Sequence, residues 1–327
     1  MDLKKISICV IGVGNWGMNH IKTLMELNIN VGCVDLDSQK LNKVKSLFPE
    51  IVCFKSAKES FKKDFNGYII STPANTHTEL AKLIIMNNKP VLVEKPLSLS
   101  VKESKEIKSY LSKYNGKLIV GHLLLFHPAI LKIKSMIEDG MIGKIQYMYS
   151  NRLNLGTVRR TEDVFWSFAP HDISIFQFLS KSFPHKVFSM GGDFLQKNIH
   201  DTTMTYLKYP NEIQGHIYVS WLHPFKEHRL VIIGSKGSIH FDDASYDKTL
   251  SFYEKDSSFE GSLSSLKLKN KDSKNIKYED TKPLKNELKY FIKILKGAQV
   301  KKANIDEGID VIKILEMATN SLEIKTN

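Results

Sequence analysis

VIGVGNWG, residues 10–17, carries an apolar, β-rich run into an amphipathic segment through glycines at 12, 14 and 17. Placed after a strand pattern and ahead of a helical one, this spacing is that of a dinucleotide-binding turn. Gly12 permits the tight turn, Gly14 lets the backbone approach a pyrophosphate, and Gly17 lets helix and strand pack closely, leaving phosphate at a helix N-terminus. Asn15 and Trp16 complete the turn. The next strand pattern ends at Asp35, 18 residues after Gly17, where a carboxylate can accept both ribose hydroxyls. Asp35 repels a 2′-phosphate and no Arg follows it, so NAD is the expected cofactor.

Outward from this turn, the first 120 residues or so alternate short β-rich runs (KISICVIGV, NVGCVDL, GYIIST, PVLVEK, KLIVGH) with amphipathic segments. Such alternation predicts a Rossmann-type, doubly wound parallel sheet. Later runs (KIQYMYSNRLNL, KVFSMGGDFL, DTTMTYLKY, IQGHIYVSWL, HRLVIIGSKGSIHFDD, TLSFYEK) follow one another across turns with few helices. They predict an α/β domain with an open, largely antiparallel sheet. One helix, expected to begin near Pro170, interrupts this series, and two helical patterns close the chain. The expected domains are residues 1–121 for the cofactor and 122–327 for substrate and oligomer contacts, with the closing helices able to pack back on the first. Residues 255–282, rich in Lys, Ser, Asp and Asn, predict a hairpin with a mobile loop.

The chain has 327 residues and a net charge of +12, but its lysines are scattered and no basic run is interleaved with stacking aromatics. Nucleic-acid binding is therefore not expected. No apolar run is long enough to cross a membrane, and the chain's start runs straight into a strand without a signal core. A cytoplasmic protein is expected. Cys9, Cys33 and Cys53 lie in apolar contexts without metal-ligand spacing and read as reduced core residues. Only four of the 47 Lys and Arg are arginines, namely Arg152, Arg159, Arg160 and Arg229. In so Lys-rich a chain, Arg can mark places where a planar, bidentate donor is wanted for phosphate or carboxylate.

Three further stretches accompany the glycine turn: STPANTH (residues 71–77) at a strand end, EKP (94–96) at the next, and a histidine in APHDIS (169–174). With them the chain resembles the Gfo/Idh/MocA oxidoreductases, the family of glucose-fructose oxidoreductase and inositol 2-dehydrogenase, over nearly its full length. Within that family GVGNWG, GHLLLFHPA, NRLNLG, APHDIS and SWLHPFKEHRLVIIG look closer to bacterial nucleotide-sugar 3-dehydrogenases, notably those acting on UDP-N-acetylglucosaminuronate. The resemblance implies cofactor contacts from Ser71, Thr72, Pro73, His77, Glu94 and Lys95 beside the glycine turn. It implies a homo-oligomer, dimer or tetramer, built through the second-domain sheet. The expected reaction is NAD-dependent oxidation of a sugar C3 hydroxyl, within surface-polysaccharide sugar synthesis.

Alcohol oxidation passes a hydride to the nicotinamide while a base takes the hydroxyl proton. Lys95, at the carboxyl end of a strand where open sheets bind ligands, could steady a developing alkoxide, and it matches the family's active-site lysine. His171 matches the family's acid-base histidine, and Pro170 is expected to place it at a helix N-terminus, where the dipole keeps an imidazole neutral. Many relatives carry Asp four residues before this histidine, whereas this chain has Ser167, which can orient a ring but supplies no charge. Either Lys95 takes more of the proton chemistry, or Asp172 or Asp163 substitutes; helix capping is the plain alternative for Asp172. Arg152, Asn154, Arg159, Arg160, Asp172, Lys226 and Arg229 are candidate substrate contacts, with His228 beside them. A nucleotide sugar needs such donors and an inositol does not. Dehydrogenases of free sugars or inositols, and a non-catalytic dinucleotide-responsive protein, remain the alternatives.

Overall fold

A computed structural model of the chain describes residues 6–156, 158–160, 162–255 and 272–323. The chain divides into two compact units, residues 1–126 with 281–313, and residues 127–280 with 314–327.

The first unit alternates β1 (Ser7–Ile11), α1 (Asn15–Glu26), β2 (Asn30–Val34), α2 (Ser38–Leu47), β3 (Val52–Phe54), α3 (Ala57–Ser60), β4 (Gly67–Ile70), α4 (His77–Met86), β5 (Val91–Glu94), α5 (Val101–Tyr114) and β6 (Leu118–Gly121). The strands form one parallel sheet in the order β3-β2-β1-β4-β5-β6. Both faces are buried, which is why the strands read as continuous apolar runs instead of alternating ones. Ile8, Val10, Cys33, Ile69, Leu92 and Ile119 form one core face with side chains of α1 and α2. The short β3 carries no strong pattern of its own; only Cys53 hinted at it. Asp37 caps α2, and Ser100 caps α5 by accepting from Glu103 N.

The second unit begins with α6 (Pro128–Glu138), a helix the sequence reading did not separate from its surroundings, and continues through β7 (Ile145–Leu155) and α7 (Val164–Ser180). Then come β8 (Lys186–Gly192), β9 (Thr202–Lys208), β10 (Gln214–Ser220), β11 (Leu222–Gly234), β12 (Gly237–Asp242), β13 (Leu250–Glu254) and β14 (Lys274–Asn275). These strands form one sheet in the order β14-β13-β12-β11-β7-β10-β9-β8. All its pairs are antiparallel except β7 with β10. Burial alternates along β9 and β10, so one face packs on α7 and the other stays partly open. The expected hairpin is the β13–β14 pair; its loop, residues 256–271, lies outside the described residues. Two closing helices follow, α8 (Pro283–Leu295) and α9 (Ile305–Glu323). Leu288, Phe291, Ile292 and Ile294 of α8 join the core of the first unit, while α9 starts in the first unit and ends in the second.

Candidate active site

At Gly12 and Gly17 the glycine turn is shaped by contacts that leave no room for a side chain. Gly12 has φ +90°, and a Cβ there would lie 2.6 Å from the carbonyl oxygen of Ser71; one on Gly17 would lie 1.9 Å from that of Gly12. Gly14 is the N-cap of α1, and a Cβ there would meet no atom within 4 Å. That open cradle, at the start of a 12-residue helix, fits a pyrophosphate held by backbone N–H groups. Asp35 Oδ2 accepts from Val13 N at 2.9 Å and Oδ1 from Asp37 N at 2.9 Å. The carboxylate is thus fixed against the glycine turn with lone pairs remaining for ribose hydroxyls. The residues fit a dinucleotide without a 2′-phosphate, and the chain binds NAD.

The strands beside β1 bring their ends to the same turn. Ser71 and Thr72, after β4, abut Gly12, and Thr72 Oγ1 lies 2.6 Å from Thr76 Oγ1. His77 opens α4 after Pro73, and its two ring nitrogens face the carbonyls of Pro96 and Thr72, each at 2.9 Å. It therefore ties the loop after β4 to the EKP turn, and burial pushes its pKa down against the pull of those carbonyls. Glu94 is buried, 7% exposed. Its Oε1 accepts from Trp16 Nε1 and lies 2.6 Å from His20 Nε2, while Oε2 accepts from Lys95 N at 3.2 Å. Glu94 thereby ties the glycine turn to β5. His20, which the sequence reading missed, lies one turn after Trp16 on α1; that i, i+4 spacing was the available signal. Lys95 is half-buried at the end of β5, and the Lys95–Pro96 bond is cis.

In the second unit the helix bearing His171 starts at Val164, not near Pro170. Asp163 is its N-cap, accepting from Trp166 N at 2.9 Å, and Pro170 lies inside the helix. His171 is therefore well past the first turn, and the dipole expected to keep it neutral falls off before reaching it. The cap outweighed the proline: a proline interior to a helix loses one backbone bond, which α7 offsets by burying most of its side chains. Ser167 precedes His171 by one turn and is 6% exposed.

Asp172 points to the sheet. It accepts two bonds from Arg152, Nε to Oδ2 at 2.8 Å and Nη2 to Oδ1 at 2.9 Å, and a third from Ser150 Oγ at 2.5 Å. Both carboxylates offered as stand-ins for the missing aspartate thus have structural partners, Asp163 in a cap and Asp172 in a buried ion pair. The basic residues do not form one patch. Arg152 is the register partner of His228, whose pKa is pushed down to about 4 by burial, then by Arg152 and Lys226. Arg229 pairs with Asn151 in the register, so it faces the opposite side of the sheet, and its Nε lies 3.3 Å from Glu227 Oε1. Arg159 is exposed beside Glu162 at 3.6 Å, Arg160 and Lys226 are exposed, and Asn154 is half-buried. Trp221 is a core residue donating to Asp201 Oδ1 at 2.6 Å, and Trp166 Nε1 donates to Thr319 Oγ1 at 2.9 Å. The three cysteines are free thiols; burial pushes Cys9 up to about 12. Among the described residues no His, Cys, Asp and Glu cluster is arranged to hold a metal, and no helix is long and apolar enough to cross a membrane.

Comparison with known proteins agrees with this fold. Residues 6–122 match the model of an oxidoreductase family with an NAD-binding Rossmann fold, and residues 130–240 match the GFO/IDH/MocA C-terminal domain. The chain is 24% identical over 271 residues to the scyllo-inositol 2-dehydrogenase (NAD(+)) of Bacillus subtilis, covering 78% of this chain and 79% of that one. It is 24% identical over 250 residues to the myo-inositol 2-dehydrogenase of Thermotoga maritima, 72% and 75% of the two chains. The solved structure of the UDP-N-acetylglucosamine 3-dehydrogenase GnnA from Acidithiobacillus ferrooxidans superposes with a TM-score of 0.83 at 19% identity, covering 97% of both chains. With a glycine turn built for NAD, an ordered EKP turn and both family domains in sequence, the chain belongs to the Gfo/Idh/MocA oxidoreductase family.

Proposed function

We propose that the protein is an NAD-dependent dehydrogenase that oxidises a secondary hydroxyl, that on C3, of a nucleotide sugar such as UDP-N-acetylglucosaminuronate or UDP-N-acetylglucosamine. The observation that carries the substrate class is the placement of Arg159 and Arg160. Both are exposed on the connection that leads from β7 into the helix bearing His171. Of the four arginines these two are spared both the buried pairing of Arg152 and the opposite-face position of Arg229. A diphosphate or uronate carboxylate suits planar guanidinium donors. The likeness to the UDP-N-acetylglucosamine 3-dehydrogenase adds support at the level of fold alone.

NAD held at the glycine turn would supply the hydride acceptor. Lys95 hydrogen-bonds the reacting oxygen and lowers the energy of the developing alkoxide. His171 takes the hydroxyl proton on oxidation and returns it on reduction. Asp35 would hold the adenosine ribose, and Ser71, Thr72, Pro73 and Trp16 would contact the cofactor, with Glu94 and His77 holding the EKP turn in place. Lys226, Asn154 and the Arg152–Asp172 pair shape the substrate side. Ser167 supplies His171 with no negative charge, so Lys95 bears more of the charge stabilisation.

A second reading, oxidation of a free inositol, is favoured by the two inositol dehydrogenase relatives. Purified protein with NAD and a panel of UDP-sugars and free polyols, followed by reduced-nicotinamide absorbance, separates the two. Turnover confined to polyols would overturn the nucleotide-sugar reading. Lys95→Ala and His171→Ala should each lower kcat by roughly a hundredfold or more; unchanged turnover in both would overturn this site assignment, whereas wild type that binds NADH but turns over none of the panel would leave a binding protein as the reading.

The open sheet face exposes Phe188, Met190 and Met204 beside Tyr147, Tyr149 and Tyr206, an apolar array that fits a second copy of this chain. Light scattering should give a dimer or tetramer, reduced in mass by Met204→Lys.

A further inference from the structure

Buried titratable side chains around the end of β5 include Glu94, His20, His122 and Glu287, and the reaction above leaves the last three without a task. Glu94 is bound by Trp16 and flanked by His20. His122 directly follows Gly121, the register partner of Glu94; it is 1% exposed, and neither ring nitrogen has a hydrogen-bond partner among the described residues. Glu287, on α8, is 0% exposed, and neither carboxyl oxygen has a partner among the described residues. Its helix packs on α1, which carries His20, and on the 3₁₀ turn Leu123–Phe126 that follows His122. Asn286 Nδ2 donates to Phe126 O at 3.2 Å, anchoring that approach. Lys302 also faces the group; its Nζ donates to Leu125 O at 3.2 Å, and Glu307 acts on Lys302 in turn. Lys95 also acts on His122, against the pull of Glu94.

Burying a lone carboxylate costs several kcal/mol, so such a group persists as the neutral acid. Burial first, then the negative field of Glu94, hold the Glu287 carboxyl well above the usual carboxylate range, against the pull of Lys302. His122 is pushed down to about 4, chiefly by burial. A neutral acid beside a carboxylate gives up its proton more readily when a positive charge arrives nearby, and holds it when none does. Glu94 stands at the carboxyl end of β5, where open α/β sheets take ligands, and it is bonded to the cofactor turn through Trp16. The nicotinamide ring carries a positive charge when oxidised and none when reduced.

We propose that Glu287 makes cofactor binding proton-linked: the oxidised cofactor favours the ionised Glu287 and the reduced cofactor its neutral acid, so that this residue sets the relative affinity for NAD+ and NADH as pH changes. The proposal rests on the NAD site described above and is independent of which sugar is oxidised.

Calorimetric titration of the full-length protein with NAD+ and with NADH, in buffers of differing ionisation enthalpy, counts the protons released by each. Wild type should release more with NAD+, and Kd(NAD+)/Kd(NADH) should fall as pH rises, by at most about tenfold per pH unit for one linked proton. Glu287→Gln keeps the shape and removes the titrating proton, so the difference in proton release should vanish and the ratio become flat with pH. Difference infrared spectra of the two wild-type complexes should show a carboxylic-acid band stronger with NADH, a readout that needs no variant to fold. Equal proton release in wild type, or a difference that survives Glu287→Gln, would overturn the proposal while leaving the NAD site intact. Binding of neither cofactor would overturn both.

Discussion

The Nδ1 of His77 lies 2.9 Å from the carbonyl oxygen of Pro96, so the loop after β4 and the EKP turn after β5 are held together by one imidazole. A neutral imidazole has one N–H, yet His77 also lies 2.9 Å from Thr72 O; only one of the two contacts can be a full hydrogen bond in that form. His77→Ala removes the tie and leaves buried carbonyls unsatisfied, at a cost of about 1–3 kcal/mol. Thermal unfolding should register that loss, and NADH fluorescence titration a weakened Kd, with partial rescue in His77→Gln. An unchanged Kd would show that the EKP turn holds its place without this strut.

Arg152 and Asp172 form a bidentate pair with side chains 12% and 3% exposed. Removing one partner strands the other charge in a buried setting, so Arg152→Ala should cost about 3–5 kcal/mol by denaturant unfolding. The double variant Arg152→Leu with Asp172→Leu should recover part of that. If Arg152→Ala instead left stability unchanged and weakened only substrate binding, the arginine would be acting on the substrate and not on the fold.

Ser167 sits one turn before His171 on α7. Ser167→Asp places a carboxylate beside the ring, which favours the imidazolium and raises the pKa of His171. A base must be deprotonated to act, so the acidic limb of the kcat/KM pH profile should move to higher pH. The buried position of Ser167 makes a lower Tm the expected accompaniment. A limb that stays put would show that His171 does not set it.

Stability should fall on acidification. In the unfolded chain His122 protonates near its ordinary 6.5, whereas in the native protein it does so only at about 4. Between those values the unfolded state binds more protons, so stability present above pH 6.5 is lost as pH falls toward 4, by roughly 3 kcal/mol for this fully buried ring. His228 adds a loss of the same sign over the same window. Glu287 acts oppositely: with its folded pKa raised, it destabilises the native state increasingly as pH rises above the ordinary carboxylate value. Glu287→Gln should therefore raise Tm more at pH 8 than at pH 5, and His122→Asn should flatten the acidic slope.

Much of the first unit was legible because its determinants are local. Glycine spacing, the position of Asp35 and apolar runs bounded by turns are properties of short segments, and the structure places them in the expected parallel sheet. The start of α7 was misread because two local signals competed, a proline and an aspartate seven residues before it, and only packing of the intervening apolar residues decided for the cap. The split of the basic residues was invisible because one residue's step in register along a strand changes the face, and register is a tertiary quantity.

By itself the sequence determined the two-domain α/β plan and the cofactor, which follow from periodicity and spacing within short segments, while the family was legible only as a resemblance in a handful of motifs. The tertiary structure alone decided which charges meet. It paired Arg152 with Asp172, sent Arg229 to the other face with Glu227, and brought Glu287 to the buried surroundings of Glu94 across nearly two hundred residues of chain. The physical reason is that burial and charge act through space: the cost or gain of each ionised group is set by neighbours that no local pattern names.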